Sequence, residues 1–205
     1  MTLVVLRGNS GSGKTTAARE VRRRFGRGCA LIEQDYVRRI ILREHNEAPD
    51  AVAPTLIATM AGESLRHGYH VVLEGILDAG TYRPALTELI AAHGGRTFYL
   101  DVSFEETVRR HAGRAATVGF TERDMRAWYR PLDLLDVPGE QVIPETSALE
   151  DTVATILHAS GLSGAAPRSP CPTRCPHCAG TLVPPSGEFQ PGSAPPAERS
   201  VKGER

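Results

Sequence analysis

The stretch Gly8-Asn9-Ser10-Gly11-Ser12-Gly13-Lys14-Thr15-Thr16 restricts the fold of this chain more than any other. It follows the apolar run Thr2 to Leu6 and leads into a segment with Ala17, Ala18, Val21 and Phe25 at helical spacing. A glycine-rich loop between a buried strand and a helix matches G-x-x-x-x-G-K-[ST] in the setting that gives that pattern meaning. Glycines let successive backbone N–H groups converge on phosphate oxygens, and the positive end of the helix reinforces them. Lys14 is then expected to reach the β- and γ-phosphates of a nucleoside triphosphate such as ATP, with the Thr15 hydroxyl in the shell of Mg²⁺. The motif specifies a triphosphate and leaves its use open.

A chain of 205 residues has room for one domain with a sizeable core. Its 24 basic and 24 acidic residues cancel, so no global field draws it to nucleic acid or to a membrane surface. Thr2 to Leu6 is too short for a signal segment, and no run approaches the roughly 20 apolar residues that span a bilayer. A soluble, cytoplasmic protein with no membrane partner is expected. Cys29 stands alone while Cys171, Cys175 and Cys178 cluster near the end, which is not a disulfide framework. Arg19, Arg22, Arg23, Arg24 and Arg27 crowd the end of the first helix. They read either as a solvated face that complements the helix dipole or as a nucleic-acid footprint.

Beyond the loop, apolar runs alternate with helical patterns. The second strand, Cys29 to Glu33, ends at Gln34-Asp35-Tyr36, with Val37, Ile40 and Ile41 following at helical spacing. Asp35 thus lies at a strand's C-terminal end, where parallel sheets present ligand groups. It can cap the next helix, or engage the hydroxyl that attacks the γ-phosphate. Arg38 and Arg39 come within one turn and suit either an anionic acceptor or the surface. After a polar stretch from His45 and a helix over Pro54 to His67, the strand Tyr69 to Gly75 ends in Glu74. That carboxylate can orient Mg²⁺ and its waters, or bond the N–H groups of the next loop. A helix over Thr81 to His93 stops at Gly94 and Gly95, and the strand Thr97 to Val102 leads to Ser103 and Glu106, a capping-box pair. Arg109, Arg110, His111 and Arg114, the irregular Ala115 to Gly119, and a helix start at Thr121 and Asp124 have the make-up of a closing lid. Gln141 to Pro144 fits an edge strand, and Ser147 with Glu150 a capped last helix. The Pro-, Gly- and Ser-rich stretch from Ser163 to Arg205 is expected to be mostly disordered. Within it Cys175-x-x-Cys178 resembles half a zinc ribbon; Zn²⁺ would need Cys171 with His177, or a second chain, and otherwise the tail is merely oxidisable.

The expected fold class is α/β: a P-loop NTPase with a doubly wound five-stranded parallel sheet and a short helical lid near 109–130. A kinase domain over 1–160 and a tail over 161–205 follow from the composition shift. From Leu3 to Pro138 the ordered motifs resemble the kinase domain of polynucleotide kinases and their relatives in the zeta-toxin and chloramphenicol phosphotransferase-like group. Ile32 to Arg38 is similar to the segment that holds the carboxylate activating the acceptor hydroxyl. The resemblance implies that role for Asp35, and acceptor-phosphate binding for Arg38. Val71 to Glu74 resembles the strand whose terminal acid places the acceptor, and Arg114 falls where the phage polynucleotide kinase has its lid arginine. Phe120 to Arg130 continues the match.

Two departures bear on substrate. Glu74 stands where the phage enzyme has aspartate, and the zero net charge does not suit a long nucleic-acid acceptor. The expectation is an ATP- and Mg²⁺-dependent phosphotransferase acting on a hydroxyl of a small molecule, which charge favours, or of a nucleic-acid 5' end. Lys14 and Arg114 would neutralise charge during transfer and Asp35 would engage the nucleophile. A nucleotide-dependent switch or assembly ATPase is the alternative, with Glu74 activating water. A zinc-dependent binding protein on a degenerate kinase body is a third, against which the complete P-loop stands.

Overall fold

The computed structural model describes residues 1–44, 51–112 and 120–167. The strands β1 (Leu3–Gly8), β2 (Cys29–Glu33), β3 (His70–Gly75), β4 (Arg96–Asp101) and β5 (Gln141–Pro144) form one sheet in the order β2-β3-β1-β4-β5. Every pairing is parallel. The helices are α1 (Lys14–Phe25), α2 (Ala53–Arg66), α3 (Ala79–His93), α4 (Phe104–Ala112), α5 (Glu122–Trp128) and α6 (Leu149–Ala159). None of them is long and apolar enough to cross a membrane.

Period-two alternation in β1 divides the core. Leu3 and Val5 point into one cluster, with Ile57, Ala61 and Leu65 of α2 and Leu86 and Leu89 of α3. Val4 and Leu6 point into the other, with Ala17, Ala18 and Val21 of α1 and Val153 and Ile156 of α6. The sheet is therefore doubly wound, as expected. Its strand order reverses beside the central β1, and the crevice at the carboxyl ends of the strands opens there. The ordered chain continues past α6 into a short 3₁₀ turn, Leu162–Gly164, whose Leu162 is buried in the second cluster.

Three local expectations need correction. The segment after Asp35 is a π-helix, Tyr36–Leu42, in which Val37 is buried but Ile40 is 63% exposed. The wider i→i+5 winding turns Ile40 and Ile41 away from the face that α-helical spacing assigns them. Ser103 forms only half of a capping box. Its hydroxyl accepts from the Glu106 N–H at 3.4 Å, but its own N–H donates to Glu145 Oε2 at 2.9 Å. Glu106 turns to the forks of Arg109 and Arg110 instead, at 2.6 and 2.7 Å, because charged donors one turn away outbid a backbone amide. At α6 the N-cap is Ala148: Ser147 Oγ shares a hydrogen bond with Thr152 Oγ1 at 2.8 Å, and Glu150 is drawn to Arg24. By contrast, Thr121 and Asp124 form a complete reciprocal capping box at the start of α5.

Candidate active site

Everything that positions the phosphate loop radiates from the end of β1. Gly11 and Gly13 adopt φ of +83° and +97°, which side chains resist, and a Cβ on Gly11 would come within 2.8 Å of the Thr107 carbonyl oxygen. Gly8 closes β1 and Gly13 is the N-cap of α1, so Lys14 begins the helix with its positive end toward the loop. Lys14 is nearly buried, and its Nζ donates to the Asn9 carbonyl at 3.2 Å. The Ser12 hydroxyl is buried without a partner. An unsatisfied donor in a cradle of turned-in amides is what an arriving phosphate oxygen would complete.

Two cavities meet at Gly11. The larger, about 670 Å³, runs from Ser12, Gly13 and Thr16 to Arg109 and Arg110 of α4 and to the loop Glu145 to Ala148 after β5. Arg110 spans it, donating to the Ser12 carbonyl at 3.0 Å and to that of Glu145 at 3.3 Å. The smaller, about 180 Å³, lies on the other side of the loop. It joins Ser10, Lys14 and Thr15 to Asp35, Arg39 and Glu74, with His111, Phe120 and Trp128 opposite. The strand-end reading thus brings Lys14, Thr15, Asp35 and Glu74 to one cavity, while Arg39 and not Arg38 lines it.

The two carboxylates differ sharply. Glu74 is 3% exposed and accepts the Thr15 hydroxyl on Oε1 at 3.0 Å; its Oε2 is buried with no partner. Burial pushes its pKa above the ordinary 4.5, with Lys14 and the Thr15 hydrogen bond opposing. The alternative role of Glu74, bonding the next loop, is filled otherwise, since the Leu77 N–H goes to Gln34 Oε1 at 3.1 Å. The hydroxyl of Thr15, the carboxylate beside it and the orphaned oxygen together suit the shell of a Mg²⁺ ion. The Asp35 side chain is 61% exposed and makes no side-chain cap. It is held by Arg38 and Arg39, each at 3.3 Å, and the Arg38 Nε is buried without a partner.

Arg114 and the cysteines Cys171, Cys175 and Cys178 lie outside the described residues, so the lid arginine and the zinc expectation have no geometry here. Among the described residues no cluster of three or more His, Cys, Asp or Glu side chains is placed to hold a metal. Burial raises the Cys29 thiol to about 12, which leaves it inert. Of the basic residues ending α1, Arg19 pairs with Glu33, Arg23 with Glu20, and Arg24 with Glu20 and Glu150.

Sequence reasoning missed the supports of the site. Arg7, fully buried in β1, donates to the Leu77 carbonyl, to Asp133 at 2.8 Å and to Glu140 at 3.4 Å. The Asn9 amide bonds both the carbonyl and the N–H of Arg130, at 2.8 and 2.9 Å, and the Tyr99 hydroxyl at 3.1 Å. These two side chains clamp the chain after α5 onto the phosphate loop. The available signals were an arginine ending an apolar run and an amide inside the glycine loop.

Solved structures share this architecture. A sugar kinase from Janibacter sp. HTCC2649 superposes with a TM-score of 0.58 at 19% identity, covering 81% of this chain and 99% of its own. A gluconokinase from Sinorhizobium meliloti 1021 gives 0.57 at 19% identity, over 80% and 92%. Shikimate kinase from Acinetobacter baumannii, solved with shikimate, gives 0.55 at 20%, over 80% and 94%. At such identities the likeness establishes the fold alone. No curated protein matches the chain by sequence. A family match nevertheless spans residues 3–138, from the first strand through the chain clamped behind α5, and on it the protein belongs to the AAA domain family (AAA_33).

Proposed function

We propose that this protein is an ATP- and Mg²⁺-dependent phosphotransferase whose acceptor is the hydroxyl of a small molecule. The observation that carries the proposal is the pair of cavities meeting at Gly11, with Lys14 and Asp35 both in the wall of the smaller one. In this reading the larger cavity takes the nucleoside and the loop amides take the triphosphate. Lys14 leaves the Asn9 carbonyl for the γ-phosphate and neutralises the charge that develops on its equatorial oxygens. Thr15 and Glu74 would hold Mg²⁺, which would supply screening of the β- and γ-phosphate charges. Asp35 accepts the hydroxyl proton, the acceptor oxygen bonds to the γ-phosphorus, and the bridging bond to the β-phosphate breaks to release ADP.

The acceptor side does not resemble a nucleic-acid track. Its cavity is small, and Arg19, Arg23 and Arg24 on α1 are neutralised by Glu33, Glu20 and Glu150. The resemblance to polynucleotide kinases is carried here as a shared mechanism at Asp35, not as a shared substrate. A switch ATPase is the second reading, favoured by the burial of Glu74 against Thr15. Transfer of label from γ-labelled ATP to a pool of small alcohols, against a 5'-hydroxyl oligonucleotide, separates the readings. The expected result is label in the small pool, lost by about 10²-fold or more in Asp35→Asn. Phosphate release that needs no acceptor, survives Asp35→Asn and disappears in Glu74→Gln would establish the switch instead.

A further inference from the structure

The smaller cavity has two unlike walls. Lys14, Asp35 and Glu74 make one of them polar, while His111 at the end of α4, Phe120, and Trp128 at the end of α5 make the other aromatic. Phe120 stacks on His111 with ring centroids 4.8 Å apart and planes at 21°, and it meets Trp128 at 5.4 Å and 62°. Three linked rings can arise simply because a short helix needs an anchor. Here that anchor is Met125, the buried residue of α5, whose methyl group packs against the phosphate loop beside Gly11. Phe120 and Trp128 stay half-buried and face the cavity.

Size and chemistry then restrict what the cavity admits. At about 180 Å³ it lies below the ~300–1,000 Å³ of a drug-sized ligand pocket, on the scale of a single small ring. A flat apolar wall facing carboxylates matches a molecule with C–H groups on one face and hydroxyls at its edge. Resting on the kinase reading above, we propose that the phosphoryl acceptor is a monocyclic polyol of monosaccharide size. Its C–H face lies on Trp128 and Phe120, and one hydroxyl is directed at Asp35.

Trp128 is the only tryptophan of the chain, so its emission reports on this wall without interference. The full-length protein with Mg²⁺ and ADP is titrated with pyranoses and cyclitols, with open-chain polyols and sugar acids of equal carbon number, with nucleosides, and with a 5'-hydroxyl oligonucleotide. Label transfer from ATP is measured on the same set. The expected result is a saturable change in Trp128 emission, and transfer of label, with one or more monocyclic polyols and with no other class. Transfer confined to open-chain compounds, nucleosides or the oligonucleotide overturns this inference and leaves the kinase reading intact. Acceptor-independent phosphate release with no transfer to any class overturns both. Silence of every monocyclic polyol in both measurements also overturns the inference.

Once a substrate is found, Trp128→Leu is expected to raise its KM about tenfold while kcat and the KM for ATP stay within about twofold. Trp128→Phe restores the acceptor KM. Should Trp128→Leu fail to fold, Phe120→Leu gives the same split. An unchanged acceptor KM in the variant that folds, with only a lowered melting temperature, shows rings that merely anchor α5 and overturns the proposal.

Discussion

The two cavities flanking Gly11 are made of different materials. The larger, where the proposed function puts the nucleotide, takes in loop glycines at positive φ and the segment after β5, with Arg110 laid across. On the other side the wall is side chains brought from β1's loop, the π-helix, β3, α4 and α5. A backbone wall recognises what every triphosphate has in common, and its geometry is encoded in one short motif. A side-chain wall can be altered one residue at a time, so on the proposed function the second cavity is where members of such a fold would diverge in substrate.

The largest expected effect crosses that division. Lys14→Ala should lower phosphoryl transfer by about 10³-fold, because its ammonium is the cation that the phosphate loop brings into the smaller cavity. If acceptor-dependent emission from Trp128 is lost as well, the two sides are not separable. Next in size is Arg7→Met. It should cost about 3 kcal/mol or more in a denaturant titration, since Glu140 and Asp133 lose the cation that pairs with both of them. A cost under about 1 kcal/mol would mean that the loop behind α5 stands without it. Arg110→Ala tests the nucleotide side alone. The KM for ATP should rise about tenfold with the acceptor KM unchanged, and equal rises in both would break the partition.

The smallest effect is a pH slope. Burial raises Glu74 above its ordinary 4.5, so the folded protein holds that proton more firmly than the unfolded chain does. Unfolding therefore releases protons in this window, and stability falls as pH rises from 4.5 through the folded value. In Mg²⁺-free buffer, urea midpoints of wild type should decline relative to Glu74→Gln across that window. Parallel curves would assign the slope to another group.

The fold was largely legible because its signals are local. An apolar run before a glycine loop, acids at strand ends, Thr121 with Asp124, and Pro144 in an edge strand each announce themselves within a few residues. The phosphate loop was legible for the same reason. What the sequence hid was convergence. Arg7 reads as the polar end of a strand, yet it is fully buried because partners about 126 to 133 positions away supply its counter-charges. His111, Phe120 and Trp128 lie at no shared helical spacing, and only the packing of α4 beside α5 makes one wall of them. Ser147 and Glu150 carried a correct local pattern for a cap and lost it to Thr152 and Arg24, which no local rule foresees.

The Asn9 clamp has a consequence for the order in which the protein is made. Asn9 closes on Arg130, which follows it by 121 residues, and its other partner Tyr99 sits on β4. At about 5–20 residues per second, synthesis must run for roughly 6 to 24 s after the phosphate loop is made before the residue that completes its support exists. The phosphate loop thus waits for a residue made 121 positions after it. During that interval nucleotide has no complete site to stabilise, so ATP can rescue a destabilised variant only after its chain has passed Arg130.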